Sequence, residues 1–430
     1  MTTVAIVGTG YVGLTTGACL SHLGADVVCC DIDQAKIDML ETGAIPIVEE
    51  GLEGIVRENL AAGRLRFVLG LDPAVSEADV VFLCVPTPQA DDGSADLRYV
   101  TEAARDLGRL VRPGTVVVNK STVPVGSFHV VGEALARDDV AVVSNPEFLR
   151  EGTAVHEFLH PDRVVIGADD AEAARRVASL YERLDAPVLT TDPASAEMIK
   201  YAANGFLAMK ISFVNSVANL CEQVGADITS VVEGIGSDHR IGPAFLYPGP
   251  GWGGSCFPKD SRALVATAAE HGYDFSLMRG VIDINEQQFG RIAQKVLDAA
   301  GDHAAPTVGV LGLTFKAGTD DLRESPSLEI IRRLRDAGAQ VRAFDPTTVG
   351  DLSPTQLHHL GDLSVAADPY DAVGGADVVV ILTEWPEFGK LDLARVAGAM
   401  RGGSVVDGRN LLRPDDVRAV GLSYQGVGRS

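Results

Sequence analysis

Long hydrophobic runs are missing from this 430-residue chain: none approaches the ~20 residues of a membrane-crossing helix, so no transmembrane segment is expected. Cationic charge is scarce. Lys and Arg total 36 against 59 Asp and Glu, a net charge of −23. A basic stripe for nucleic-acid backbones is therefore absent, and an anionic membrane surface would repel the molecule. Any phosphate ligand must be held locally, by helix N-termini and a few placed Arg or Lys. Cysteine is sparse too. Cys19, Cys29, Cys30, Cys84, Cys221 and Cys256 have neither the density of a disulfide scaffold nor a CxxC metal pair. A reducing compartment and no metal site are expected. The N-terminus opens into a strand pattern, without the basic stretch and cleavage site of a signal peptide, so the expected location is the cytoplasm. What remains is ample core material: 46% apolar against 22% charged residues excludes global disorder. At roughly 150 residues per domain, the length suggests about three domains.

Residues 3–8, TVAIVG, read as a buried parallel strand running into a glycine turn. Gly8-Thr9-Gly10-Tyr11-Val12-Gly13 follows, then a helix through about Leu23, then a second strand, 26–30, closed by Asp31. This is GxGxxG between strand and helix, with an acid about 20 residues on. Gly8 permits the tight turn, Gly10 lets a pyrophosphate approach the backbone, and Gly13 lets helix pack on strand. The helix N-terminus supplies N–H donors. Asp31 would accept hydrogen bonds from an adenosine ribose and repel a 2′-phosphate, so NAD is favoured over NADP. Further strands are expected at 80–85, 115–119 and 140–144. Thr87 and Thr122 follow two of these strand ends, where open α/β sheets bind ligands. Their hydroxyls would either line the cofactor site or cap local turns.

From Pro193 to Val224 the chain reads as one long helix, with Asp192-Pro193 at its start and Gly225 as its stop. Ile199, Ala203, Phe206, Met209, Phe213, Val217 and Leu220 recur at helical spacing. Such a helix could join two lobes and expose a dimerisation face. A glycine- and proline-rich loop spans 242–258. Strand-to-glycine returns at 307–312, with a helix at 327–337, a strand at 341–344 closed by Asp345, and 377–382 echoing 79–84. This is a loose internal repeat without the GxGxxG fingerprint. The expected fold is α/β, with two Rossmann-like doubly wound lobes joined by a long central helix and helical segment. Domains are expected at 1–192, 193–300 and 301–430, and the polar tail 423–430 reads as disordered.

Cys256 alone among the cysteines sits in a glycine loop, with Lys259 and Asp260 close behind. A helix starting near Pro258 would aim N–H donors at its sulfur and favour the thiolate. The alternative is a structural thiol. Lys200 and Asn204, four apart on the long helix, suit an alcohol oxygen that develops negative charge, or else form a solvated surface pair. Glu147 and Glu151 stand one helical turn apart after a strand end, as proton acceptors or helix-start residues. A nicotinamide site plus a nucleophilic Cys has a specific meaning. An aldehyde lacks the alkoxide that expels hydride; a thiolate adduct has one, and its oxidation leaves a thioester that water cleaves. The expected product is a carboxylic acid.

GTGYVG, VPTP, STVPVG, NPEFLREG, KYAAN, RIGPAFLYPGPGWGGSCFPKD and FKAGTDDLRESPS occur in this order. Together they closely resemble the UDP-glucose/GDP-mannose dehydrogenase family over nearly the whole chain. The resemblance implies NAD-dependent four-electron oxidation of UDP-glucose at C6, with two NAD per turnover, through a Cys256 thiohemiacetal and thioester. Another nucleotide sugar, such as GDP-mannose or a UDP-N-acetylhexosamine, or a two-electron hydroxy-acid-type reaction, are the alternatives; a non-catalytic sensor is a third. It further implies that Lys200 and Asn204 stabilise oxyanions, that Asp260 positions water near Thr122, and that Glu147 and Glu151 flank the reacting carbon, Glu151 as proton acceptor. Cofactor contacts implied are Gly8, Gly10, Tyr11, Val12, Gly13, Asp31, Lys36, Thr87, Thr122, Glu151, Lys259 and Arg323. Substrate contacts implied are Glu147, Phe148, Leu149, Arg150, Glu151, Lys200, Asn204, Phe245, Leu246, Tyr247, Pro248, Gly249, Gly253, Lys316, Arg409 and Arg240 of the partner subunit. The implied assembly is a homodimer through the central helices, with no nucleic-acid or membrane partner.

Overall fold

The computed structural model describes residues 2–90, 93–350 and 352–429. The chain divides into two compact units, Met1–Ala203 with Arg262–Tyr273, and Asn204–Ser261 with Asp274–Ser430.

The first unit carries β1 (Thr3–Val7), β2 (Asp26–Asp31), β3 (Leu65–Leu69), β4 (Val80–Leu83), β5 (Val116–Asn119), β6 (Ala141–Ser144), β7 (Val164–Gly167) and β8 (Val188–Thr191). Their order is β3-β2-β1-β4-β5-β6-β7-β8, parallel except where β6 meets β7. The first six positions have the doubly wound 3-2-1-4-5-6 order. Central strands such as VVFL of β4 are buried along their whole length, because helices cover both faces. Alternate residues of β1 serve the two cores: Val4 and Ile6 pack with Leu14, Leu20 and Phe82, Ala5 and Val7 with Val81, Leu83 and Leu107.

The second unit repeats the plan with β9 (Thr307–Leu311), β10 (Gln340–Phe344), β11 (Ser364–Val365), β12 (Val378–Ile381), β13 (Ser404–Asp407) and β14 (Ser423–Gly426). The order β11-β10-β9-β12-β13-β14 is the same doubly wound order, all parallel. The repeat extends to single hydrogen bonds. Asp79 accepts from the Thr3 N–H at 2.9 Å, and Asp377 accepts from the Thr307 N–H at 2.8 Å. The expected disordered tail is corrected here: 423–426 is an edge strand on β13, Tyr424 is buried, and the Arg429 guanidinium donates to the carbonyls of Asn410 and Leu412. One buried aromatic ring and a parallel ladder outweigh the segment's polar composition. Ser430 lies outside the described residues.

The long helix runs from Pro193 to Val224. Its buried face is small and polar: Ala196, Ala208, Ala218, Ser212, Asn215, Lys200 and Asn204. Its large apolar residues Phe206, Phe213 and Leu220, picked out by their spacing, are more than half exposed. Among the described residues, no helix is long and apolar enough to cross a membrane.

Candidate active site

In the first unit the glycine turn closes β1 onto the helix Tyr11–His22. Gly8 takes φ +95°, which a side chain rarely adopts, and a Cβ there would lie 2.7 Å from the Cys84 carbonyl oxygen. A Cβ on Gly13 would collide with the Gly8 carbonyl oxygen, whereas one on Gly10 would meet nothing within 4 Å. The turn is thus closed against the protein and open toward a ligand. The helix has no capping side chain and no acid in its first turn, so its N–H groups face an anion unopposed. Asp31 accepts from the Thr9 N–H (2.9 Å) and hydroxyl (2.6 Å), and Lys36 Nζ lies 3.1 Å away. Burial pushes its carboxyl up, but the Thr9 hydrogen bonds and Lys36 outweigh that and hold it at about 2. These residues fit a dinucleotide such as NAD: open turn, free N–H donors, and an ionised acid at the end of β2.

The Asp31 shift carries a sign. A carboxyl held low stabilises the fold above its ordinary value of 3.8 and loses that contribution as pH falls toward 2. Asp31→Asn is expected to remove roughly 2 kcal/mol of stability at neutral pH and to flatten the acid limb in that window. Urea unfolding at stepped pH measures both, and an unchanged limb would refute the assignment. The second unit has the counterpart Asp345, bonded to the N–H groups of Leu313 and Thr314, but it is fully buried and also takes the Trp385 indole N–H. No lone pair is left facing a ribose. The repeat kept the acid as a structural clasp.

Around the ends of β5 and β6 the first unit collects a second group. Lys200 Nζ lies 2.6 Å from Glu147 Oε1, with both side chains 4% exposed. Burial pushes the Glu147 carboxyl up; Lys200, directly and by hydrogen bond, with the Leu149 N–H, brings it below its ordinary value. The Phe148 ring takes Arg163 at 3.7 Å and Lys200 at 5.6 Å. Thr87 donates its hydroxyl to the Thr122 carbonyl at 2.9 Å, bringing those two together. Gly152, next to Glu151, donates to the Tyr11 hydroxyl at 2.6 Å and to Glu49 at 2.7 Å, tying this loop to the glycine turn. Glu147 and Glu151 are not on a helix: 145–150 is irregular and the next helix starts at Ala154. Pro146 and the Glu147–Leu149 bond hold the backbone out of helical form, so the one-turn spacing is corrected.

In the second unit the glycine loop ends at Cys256, directly before the helix Phe257–Glu270. Cys256 is half-buried, and the other five cysteines are buried. Burial pushes Cys19, Cys30 and Cys84 up to about 12 and Cys29 well above the ordinary value, leaving inert thiols. Ser255 Oγ stands 3.5 Å from the Cys256 sulfur. Asp260, wholly buried, accepts from Asn204 Nδ2 (2.6 Å) and from Lys259 Nζ (2.6 Å). Gly253 packs on the Glu324 carbonyl, where a Cβ would collide. Gly254 lies against the Phe315 ring, beside Lys316, and Arg409 reaches the Phe315 carbonyl at 2.9 Å and Gly249 nearby. The Phe245 and Phe257 rings are 6.2 Å apart. Leu246 is buried and Tyr247 exposed.

The structure therefore clusters Gly8–Gly13, Asp31 and Lys36; Glu147, Phe148 and Lys200; and Asn204, Cys256, Lys259 and Asp260. Arg323 pairs with Asp321 and Arg240 with Asp238, each on an exposed turn. Sequence reasoning missed three neighbours. Lys120 is buried and bonded to Asn145 (3.0 Å), with its amine brought down to about 8 by burial. Glu197 is buried one turn before Lys200 and accepts from the N–H groups of Gly126 and Phe128. Ile32, fully exposed after Asp31, offers an apolar surface at the dinucleotide end of the sheet. A lone buried charge leaves no periodic trace, though the one-turn spacing of Glu197 and Lys200 was a usable signal.

Residues 2–185 match the NAD binding domain of the UDP-glucose/GDP-mannose dehydrogenase family, 194–287 its central domain and 309–414 its UDP binding domain. The chain is 46% identical to a UDP-glucose 6-dehydrogenase of Rhizobium meliloti (strain 1021), covering 99% of both. It is 44% identical to UDP-glucose 6-dehydrogenase TuaD of Bacillus subtilis (strain 168), covering 100% of this chain and 94% of that one. A solved UDP-glucose dehydrogenase from the hyperthermophilic archaeon Pyrobaculum islandicum superposes with a TM-score of 0.92 at 39% identity, over 100% of this chain and 98% of that chain. A nucleotide turn that fits NAD, a lone accessible thiol and full-length likeness of this order have one explanation: the chain belongs to the UDP-glucose/GDP-mannose dehydrogenase family.

Proposed function

We propose that this protein oxidises UDP-glucose at C6 to UDP-glucuronate, with Cys256 as covalent nucleophile. The observation that carries the reading is the contrast among thiols: five are buried, and the sixth ends a glycine loop at a helix N-terminus. NAD, when bound, supplies the hydride acceptor, and taking an alcohol to an acid draws on it twice, once for the alcohol and once for the sulfur adduct. Glu151 takes the C6 hydroxyl proton. Lys200 and Asn204, one turn apart on the same helix, hold the oxygen as it gains charge. The Cys256 thiolate forms a C–S bond to the aldehyde carbon, placing the negative charge on that oxygen. After the adduct is oxidised to a thioester, water attacks the carbonyl carbon, the C–S bond breaks, and the sulfur leaves as thiolate. Asp260, already an acceptor for Asn204 and Lys259, orients that water. Lys316, Arg409 and the loop 245–249, with the partner's Arg240, bind the nucleotide diphosphate. The same reading divides the chain at 192 and 300 and places it in the cytoplasm.

Limiting UDP-glucose with excess NAD should yield two NADH per sugar and UDP-glucuronate as product. One NADH per sugar would overturn the four-electron reading. Faster turnover of a different nucleotide sugar in a parallel panel would reassign the substrate.

The assembly is a homodimer through the long helix. What supports this is a stripe of exposed apolar residues, Met198, Phe206, Phe213, Leu220 and Val224, along its whole length. Phe206→Asp combined with Phe213→Asp should convert a dimer to a monomer in sedimentation velocity. A double variant that sediments like the parent would move the interface elsewhere.

A further inference from the structure

In the loop that leads to Cys256, the backbone groups of Gly249 and Trp252 are met by side chains of two helices. Asn285, on the helix Ser276–Ala300, accepts from the Trp252 N–H at 2.8 Å and donates to the Trp252 carbonyl at 2.9 Å. One side-chain amide thus meets both backbone groups of one residue, as the facing residue of an antiparallel pair would. Gln288, one turn on, donates to the Gly249 carbonyl at 2.9 Å, while Asn215 of the long helix accepts from the Gly249 N–H at 2.8 Å. Asn219 donates to Gln288 Oε1 at 3.0 Å and fixes its orientation. Ser212 accepts the Trp252 indole N–H at 2.9 Å. Asn215, Gln288 and Asn285 are all buried, so water cannot replace these bonds. Gly251 leaves no slack either: a Cβ there would meet Phe289 at 2.6 Å and Asn285 at 2.8 Å.

We propose that Asn285 and Gln288 are positioning residues for the Cys256 thiol: their amides clamp Gly249 and Trp252, and through four further residues set where the sulfur stands. The inference rests on the reading of Cys256 as the nucleophile. Neither side chain touches the sulfur. They act through the backbone, whose displacement by an ångström costs about 100-fold in rate.

The test uses the full-length protein with Asn285→Leu and Gln288→Met, which keep side-chain volume and remove the hydrogen bonds. Iodoacetamide alkylation of Cys256, followed by peptide mass, reads the thiol directly; kcat, KM and NAD affinity are measured alongside. Expected are an alkylation rate altered about tenfold and kcat lowered about 100-fold. A lower melting temperature with alkylation and kcat within roughly threefold of the parent would overturn the clamp and leave a purely structural role. Should Asn285→Leu fail to fold, Gln288→Met carries the measurement; failure of both to fold overturns the proposal equally. Cys256→Ala runs in parallel. If it still completes the second oxidation, the nucleophile reading fails, while the alkylation comparison still decides whether the clamp sets the thiol.

Discussion

Replacing Cys256 with serine is expected to abolish acid formation while leaving the first oxidation detectable. The alcohol-to-aldehyde step needs only a base and a hydride acceptor, and the variant keeps both. The second oxidation needs a nucleophile that is ionised near neutral pH. A serine hydroxyl, far less acidic than a thiol, is not one, and a fall of about 10³-fold or more in acid production follows. No other thiol can deputise: Cys19, Cys29, Cys30 and Cys84 are buried and held protonated, and Cys221 is buried on the long helix. Rapid mixing should register at most one NADH per active site, and chromatography should find no uronate. Acid produced at the parental rate would remove sulfur from the mechanism.

Lys200→Met is the second large effect, and it separates stability from chemistry. Lys200 and Glu147 form a pair almost wholly withdrawn from water. Removing the ammonium leaves a buried carboxylate without its main partner, a loss of roughly 3–5 kcal/mol. The lowered Glu147 carboxyl adds a pH signature. Its contribution is present above the ordinary value of 4.5 and lost as pH falls through the lower folded value, so the parent should show this acid limb and the variant should not. With Lys200 in the proposed role of holding the oxyanion, turnover should fall by about 10²–10³-fold. The double variant Lys200→Met/Glu147→Gln makes the division visible: a neutral amide needs no counter-charge, so most stability should return and no activity should. Calorimetry and steady-state rates on the three proteins measure it. A single variant as stable as the parent would mean that Glu147 finds another counter-charge.

The parts legible in the sequence are those whose cause is local. GTGYVG between an apolar strand and a helix predicts the turn because no side chain fits at Gly8 or Gly13, and the structure bears that out. The long helix is read to its end residues because Asp192-Pro193 and Gly225 punctuate it. The doubled lobe shows in the echo of 79–84 at 377–382, and both segments hold the fourth strand of a sheet. Other features left weaker traces. Asn285 and Gln288 look like ordinary polar positions on a helix, and Asp345 shows in the sequence only as the acid that closes a strand. The segment 423–430, whose first four residues form the edge strand, reads as a tail, and Glu147 and Glu151 read as a helical turn.

By itself the amino-acid order determined the two doubly wound sheets, the nucleotide turn and the singular status of Cys256, since each follows from backbone sterics or neighbours within a few residues. Tertiary structure alone decided which face of the long helix is buried, that Asp345 is sealed by Trp385, and that amides from distant helices clasp the cysteine loop. The physical reason is that periodicity states which residues share a face but not what covers it. A polar side chain becomes a ligand, a clasp or a solvated group according to the partner that packing brings within hydrogen-bond reach.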